Sequence, residues 1–173
     1  MLVPVGVRHM GTDMFNTVNK DIFAEFNKAT LGVAAKDYGF GAFADAVAKL
    51  NIEAIDNDPA QVAPRCFGFV NADDMAEIRK ALKDDLKYVE SFARTGYVGT
   101  VAGVNLYTKK DAVSGTIIVA TREAVTLFNK KGVEIEQERD ADVRENKIWS
   151  RKYYLAALTD ATKVVKITVT PTV

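Results

Sequence analysis

Apolar side chains recur at intervals of three and four residues in two segments near the start of the chain, which is the spacing of one face of an α-helix. These segments cover residues 14–30 and 40–50. Asp13 is a suitable N-cap for the first segment, and Gly32 is a suitable stop signal after it. The apolar positions are Phe15, Val18, Ile22 and Phe26, followed by Phe40, Phe43, Val47 and Leu50. The pattern therefore predicts two amphipathic helices.

A third helix is predicted over residues 71–92. Asn71 is a suitable N-cap, and Asp73 and Asp74 lie in the first turn, where the helix dipole favours negative charge. The apolar stripe of this segment consists of Met75, Ile78, Leu82, Leu86 and Val89. The N-cap residue, the acidic first turn and the apolar stripe therefore all predict a helix in this segment.

Short β-type runs occupy residues 65–70, 116–120 and 162–170. Between the first two runs, residues 96–110 carry three glycines in an apolar, β-prone context. Glycines in such a setting indicate bends or close backbone approach within strands, and they are Gly96, Gly99 and Gly103.

Residues 121–132 predict a short helix that begins at Thr121 as N-cap and ends at Gly132. Along the chain, helices come first, and strands and helices then intermix. This order predicts the α+β class rather than a regular parallel sheet.

The segment that follows changes to a period of two, as in a β-strand. In residues 133–138, Val133, Ile135 and Gln137 alternate with three glutamates, which predicts one sheltered face and one acidic face. In residues 148–156, Trp149, Arg151, Tyr153 and Leu155 alternate with Ile148, Ser150, Lys152, Tyr154 and Ala156. The sequence therefore predicts a hairpin with a charged tip.

Composition limits the functional classes that fit this chain. Its 173 residues are about one domain's worth, with 23 basic and 23 acidic side chains. This balance argues against a dedicated nucleic-acid binder, whose affinity depends on neutralising phosphates. A single cysteine, Cys66, excludes an internal disulfide and fits a reducing compartment. No apolar run approaches the ~20 residues that span a bilayer, so we expect no membrane partner.

Candidate catalytic, cofactor and metal sites all have simpler interpretations. His9 is the only histidine, so Cys66 has no obvious general base, and a buried, inert thiol is the favoured interpretation. The glycines of residues 96–103 lack the spacing of a dinucleotide-binding turn. Residues 56–59 cluster oxygen ligands but lack the central Gly and the later Glu of a calcium-binding loop. The aromatic residues Trp149, Tyr153 and Tyr154 could stack on bases, but core packing is favoured for them. We therefore predict no catalytic, cofactor-binding or metal-binding residues.

The charged hairpin tip has no catalytic explanation and allows two interpretations. One is an ordinary solvated face; the other is a contact between identical subunits, in which mixed charges meet acid to base and fix the register. The candidate interface residues are Arg139, Asp140, Asp142, Arg144, Glu145 and Lys147.

Several segments together resemble the major capsid proteins of tailed bacteriophages, which share the Hong Kong-type capsid fold. The similar segments are "FADAVAKLNIEA", "RCFGFVNADDMAEIRKALKDDLKY", "TVAGVNLYTKK" and "GTIIVATREAVTLFNKKGVEIEQERDADVRENKIWSRKYYLAAL", in the order typical of the family. The resemblance covers residues 14–170, and it implies a C-terminal portion of a longer family member.

The resemblance also implies a domain organisation. Residues 1–13 would be a tail or an expression-tag remnant, and residues 14–50 would form peripheral-domain helices. Residues 51–158 would form the axial domain, a central mixed or antiparallel sheet flanked by helices. Residues 159–173 would return to the peripheral domain as a strand.

The implied function is that of a structural subunit without enzymatic activity, which assembles into the hexamers and pentamers of an icosahedral capsid. The expected partners are copies of itself, enclosed DNA bound without sequence specificity, a scaffolding protein and a portal. The expected location is the virion, after assembly in the host cytoplasm, and the charged tip would lie near the capsomer centre. Two alternatives stay open: the shell of an encapsulin-like bacterial compartment, and a small α+β ligand-binding or hydrolytic domain.

Overall fold

The computed structural model describes residues 2–50, 66–86, 99–140 and 145–170. The helices of this part of the chain are α1 Leu2–Phe26, α2 Phe40–Lys49, α3 Ala72–Ala81 and α4 Lys83–Leu86. The strands are β1 Leu31–Ala35, β2 Cys66–Val70, β3 Thr100–Val101, β4 Val104–Thr108, β5 Thr116–Ala120, β6 Val125–Asp140, β7 Glu145–Leu158 and β8 Val164–Val169. The chain divides into a hairpin unit, Met1–Glu25 with Val125–Ala157, and a sheet unit, Phe26–Ala124 with Leu158–Val173. The predicted α+β class is confirmed.

Six strands of the sheet unit form one mixed sheet in the order β1-β8-β5-β2-β4-β3. β1 pairs in parallel with β8, and β2 pairs in parallel with β4. β5 pairs antiparallel with both β8 and β2, and the short β3 pairs antiparallel with β4. The predicted strands at residues 65–70, 116–120 and 162–170 are confirmed as β2, β5 and β8. The predicted glycine bend lies between β3 and β4, where Gly103 has a φ of 82°.

The core of the sheet unit lies between one face of this sheet and the helices α2 and α3. Phe43 from α2 and Ile78 from α3 are completely buried there. In β2, a Cβ at Gly68 would lie 3.1 Å from side-chain atoms of both Val104 and Leu106 on β4. Close packing of these two strands therefore depends on glycine at this position.

The predicted cap of the third helix is confirmed. The Asn71 side-chain oxygen accepts a hydrogen bond from the Asp73 backbone N–H at 3.1 Å, and its amide nitrogen donates to the Ala112 carbonyl at 2.6 Å. α3 ends at Ala81, earlier than predicted, and α4 follows it. The rest of the predicted helix, from residue 87 onward, lies outside the described residues.

Asp74, in the first turn of α3, is a buried carboxylate that joins three parts of the sheet unit. It accepts hydrogen bonds from the Tyr38 hydroxyl at 2.9 Å, the Ser114 hydroxyl at 3.0 Å and the Gly115 backbone N–H at 2.8 Å. Burial and the bond to Asp74 raise the pKa of Tyr38 to about 12. These donors satisfy a charge that would be costly to bury alone.

The chain leaves the sheet unit after Ala124 and re-enters it at Leu158. The Ala124 carbonyl accepts hydrogen bonds from the backbone N–H groups of Thr159, at 2.9 Å, and Asp160, at 3.2 Å. The Thr159 hydroxyl donates to the same carbonyl at 3.2 Å. These bonds hold the exit and re-entry points together.

The hairpin unit combines α1 with β6 and β7, which form a separate two-stranded sheet. Val18 and Phe23 of α1 are buried. The Tyr154 hydroxyl of β7 donates a hydrogen bond to the carboxylate of Asp21 on α1. The predicted hairpin strands at residues 133–138 and 148–156 are confirmed as parts of β6 and β7.

The predicted bounds of the first helix were wrong at both ends. α1 begins at Leu2 instead of after Asp13, and it ends at Phe26 instead of near Thr30. That residues 1–13 are a tail or an expression-tag remnant stays a prediction. Pro4 is tolerated because it lies in the first turn, where a missing N–H breaks no helical bond. Gly32 does not stop this helix; it lies in β1, which we did not predict and which gains its hydrogen bonds from β8. No helix among the described residues has the length and apolar character needed to cross a membrane.

The predicted short helix at residues 121–132 was also wrong. Arg122–Ala124 form one 3₁₀ turn, and β6 begins immediately afterwards at Val125. Gly132, the predicted end of the helix, lies inside the strand. Cross-strand pairing with β7 overrides the local cap signals, because strand propensity depends strongly on partners.

The compact units also have boundaries that differ from those implied by the resemblance. The predicted axial portion, residues 51–158, grouped the hairpin with the sheet, whereas contacts group it with the N-terminal helix. The assignment of the names axial and peripheral stays a prediction.

Candidate functional site

β7 presents two different faces, because successive side chains of a strand point in opposite directions. One face is half-buried and includes Tyr154, which bonds to Asp21 on α1. The other face is exposed, with Trp149 at 60% and Leu155 at 61% of their full exposure. We call the exposed set the β7 stripe; it consists of Trp149, Arg151, Tyr153 and Leu155.

These exposures overturn two predictions. Core packing was favoured for Trp149 and Tyr153, yet both are exposed. The predicted sheltered face of β6 is exposed as well, at 55% for Val133 and 56% for Ile135, whereas Glu134 is half-buried. The alternation itself was correct. Both faces of each strand carry large side chains, so the sequence did not show which face would be covered.

An ionic network crosses the middle of the hairpin. The Arg151 guanidinium donates to Glu134, through Nε at 2.9 Å, and to Glu136 through Nη2. Lys131 Nζ donates to the other Glu134 oxygen at 2.7 Å. The bonds from Lys131 and Arg151 lower the pKa of Glu134, and the bond to Glu134 raises the pKa of Arg151. Arg151 is therefore held in place within the stripe by two carboxylates of the neighbouring strand.

The predicted interface residues lie where the two strands meet the four-residue connection. Arg139 and Asp140 end β6, Glu145 begins β7, and Lys147 follows two residues later. Arg139 and Lys147 are exposed. Asp142 and Arg144 lie outside the described residues. The structure thus brings four of the six predicted residues to one end of the two-stranded sheet.

The sheet unit contains the single cysteine of the chain. Cys66 is buried, as predicted, and burial raises the pKa of its thiol to about 11, so the nucleophilic thiolate is scarce at neutral pH. Within the described ranges, no group of three or more His, Cys, Asp or Glu side chains could hold a metal ion. The exposed hairpin is therefore taken as the candidate site.

The chain is similar to known phage proteins over nearly its whole length. The major capsid protein of Staphylococcus phage phiMR11 is 29% identical over 164 residues, which covers 94% of this chain. A solved structure from Mycobacterium phage Che8 matches with a TM-score of 0.73 at 17% identity, over 98% of this chain and 64% of that chain. The capsid structure of cyanophage P-SCSP1u matches with a TM-score of 0.72 at 12% identity, over 98% and 66% of the two chains.

This chain has the phage major capsid protein fold. The fold implied by the resemblance is thereby confirmed. The capsid-fold chain spans 58% of the length of its staphylococcal relative and 64% of the Che8 chain. No family model matches it.

Proposed function

We propose that this chain is the self-assembling portion of a phage major capsid protein, a structural subunit of an icosahedral head. Copies would form hexamers and pentamers that enclose genomic DNA, and the subunit would bind its own copies instead of catalysing a reaction. The observation that carries the proposal is the shared fold over 98% of the chain, together with a relative named as a major capsid protein.

The exposed hairpin supports this proposal, because a subunit that acts by self-association needs surface that a neighbour can cover. Its tip carries both signs of charge: Arg139 and Lys147 are basic, and Asp140 and Glu145 are acidic. In the proposed shell, these side chains would meet residues of opposite charge on adjacent copies and would set their register. A position near the capsomer centre is part of this proposal.

Charge balance fits the proposed relation to DNA. With 23 basic and 23 acidic residues, the chain provides no net field that would bind phosphates tightly. DNA inside such a shell would be held by confinement and without sequence specificity. A scaffolding protein, a portal and assembly in the host cytoplasm belong to the same proposal.

Electron microscopy of the complete product of the gene that encodes this chain tests the proposal. The protein would be expressed alone and together with the genes that flank it, then examined by negative stain and by velocity sedimentation. We expect closed, icosahedral particles of uniform size. A product that stays monomeric under both conditions would show that the proposed function is wrong.

A further inference from the structure

The β7 stripe is a mainly apolar surface that the described part of the chain leaves uncovered. Trp149, Tyr153 and Leu155 follow one another along the exposed face, and Phe128 of β6 is exposed at 52%. Phe128, Tyr153 and Leu155 line one depression on the hairpin. Scattered exposed apolar residues are ordinary, but a contiguous row on a strand indicates a binding surface.

We propose that the β7 stripe is covered by the hairpin of a second copy of the chain, with the lysine-bearing end of one hairpin against the glutamate-bearing end of the other. The inference rests on the proposed function and names the surface through which copies associate. The proposed contact uses the exposed face of the two strands, whereas the interface predicted from the sequence lies at the tip of the hairpin.

The stripe has the composition of an interface centre. Tryptophan, tyrosine and arginine are the residues that most often dominate binding energy, and three of the four stripe residues are of these types. Covering Trp149, which is 60% exposed, and Tyr153, which is 46% exposed, would remove much of the remaining aromatic surface from water.

Arg151 fits the same interpretation, although it is charged. Its guanidinium is already bound by Glu134 and Glu136 of the same hairpin. The charge is therefore paired and its side chain ordered before a partner arrives, which lowers the cost of covering it. An apolar row with a paired arginine at its centre can be buried as one surface.

The order of charges along β6 favours a second copy as the occupant. Lys130 and Lys131 come first, and Glu134, Glu136 and Glu138 follow toward the connection to β7. Lys131, Glu134 and Glu136 already bond within their own hairpin. Two hairpins that lie face to face in opposite directions would place the exposed Lys130 of each against the exposed Glu138 of the other. Such a surface is complementary to itself, as a contact between identical subunits requires. The balanced total charge adds no net repulsion between copies.

Trp149 is the only tryptophan of the chain, so its fluorescence reports directly on the stripe. We would compare purified particles with dissociated subunits of the complete gene product, by emission wavelength and by acrylamide quenching. We expect the emission of the particles to shift to shorter wavelength and the quenching constant to fall at least about threefold, because the indole leaves water.

Single substitutions test the contact without disturbing the core, because the stripe is exposed. Tyr153→Ser should raise the protein concentration needed for assembly by about tenfold. Tyr107→Ser is the matched control, since Tyr107 is an exposed strand tyrosine of the sheet unit, and it should leave assembly unchanged. Circular dichroism of each dissociated variant would establish that it is folded.

A charge exchange tests the orientation of the two hairpins. Lys130→Glu and Glu138→Lys should each weaken assembly, and the double variant should recover most of the loss. If the loss of assembly in the double variant equals the sum of the losses in the two single variants, the opposed arrangement is wrong.

The outcomes separate this inference from the function on which it rests. Wild-type protein that forms no particles contradicts the proposed function, and the inference is then wrong with it. Wild-type particles in which Trp149 stays as quenchable as in free subunits, or in which Tyr153→Ser assembles like Tyr107→Ser, overturn the inference alone.

Discussion

Tyr154 of β7 donates its hydroxyl hydrogen to the carboxylate of Asp21 on α1, and this bond joins residues 133 positions apart in the sequence. The same bond raises the pKa of Tyr154, since the nearby carboxylate disfavours the phenolate. Because Tyr154 faces α1, its neighbours Tyr153 and Leu155 face away from it. One hydrogen bond thus helps to determine which side of the hairpin is available for contact.

Removing that bond should loosen the hairpin unit modestly. We expect Tyr154→Phe to lower the free energy of unfolding by about 0.5–1 kcal/mol, because the bond involves a charged acceptor but is accessible to water. Urea denaturation followed by Trp149 fluorescence would measure this change. Tyr153→Phe is the control, and equal effects of the two substitutions would contradict a specific role for the bond with Asp21.

The buried carboxylate of Asp74 should matter far more. Asp74→Asn keeps the size but replaces one acceptor oxygen with a donor. That donor would face either the hydroxyl groups of Tyr38 and Ser114, which now bond to Oδ1, or the N–H of Gly115, which now bonds to Oδ2. We expect a loss of about 2–3 kcal/mol in the free energy of unfolding. Thermal or urea denaturation would detect it.

Asp73→Asn is the matched control for that substitution, because Asp73 is the adjacent, exposed carboxylate in the same helical turn. It should change stability by less than about 0.5 kcal/mol. Comparable losses for the two variants would indicate that helix charge, and not the buried hydrogen bonds, is responsible.

The ionic network of the hairpin should depend on pH. The pKa of Glu134 in the folded chain is below its ordinary value of 4.5, so the unfolded chain binds this proton more readily. The stabilising contribution of Glu134 is therefore present above pH 4.5 and is lost as the pH falls through the lower, folded-state pKa. We would measure the free energy of unfolding by urea denaturation between neutral and acidic pH. It should fall less on acidification for Glu134→Gln than for the unsubstituted chain.

Reversing two charges at the tip tests the predicted interface residues. Arg139→Glu combined with Arg144→Glu should reduce the yield of particles from the complete gene product several-fold, because the acid-to-base contacts would become repulsive. Electron microscopy and sedimentation would measure the yield.

A control must reproduce the change in net charge without touching the tip. Lys36→Glu combined with Lys110→Glu does so, since both lysines are exposed on the sheet unit. Normal particles from the tip variant would discard the assignment of these arginines. Equal losses in both double variants would point to net charge instead of a specific contact.

The elements that the sequence predicted well carry consistent local signals. α3 has a capping asparagine, acidic residues in its first turn and a single apolar stripe, and its start was predicted correctly at Asn71. β5 is a short apolar run that is buried on both faces, so its strand character did not depend on knowing its neighbours.

The elements that the sequence missed depend on distant partners. β1 is stabilised by parallel pairing with β8, more than 130 residues away, for which the local sequence gives no signal. Helix-cap signals flank and enter β6, with Thr121 before the strand and Gly132 inside it, but the pairing of β6 with β7 decides the outcome. The candidate contact surface was missed for a related reason. Periodicity shows that two faces exist, whereas only tertiary structure shows which one α1 covers.

The hydrogen bonds that Thr159 and Asp160 make to the Ala124 carbonyl close the sheet unit at the point where β6 leaves and β7 returns. Among the described residues, the six-stranded sheet pairs with neither β6 nor β7, and these two strands pair with each other. Adding or removing residues in pairs on both β6 and β7 would preserve the alternation of their side chains. It would leave the hydrogen bonds between the strands of the six-stranded sheet intact. Evolution could therefore change the length of the hairpin while the sheet unit kept its own strand pairing.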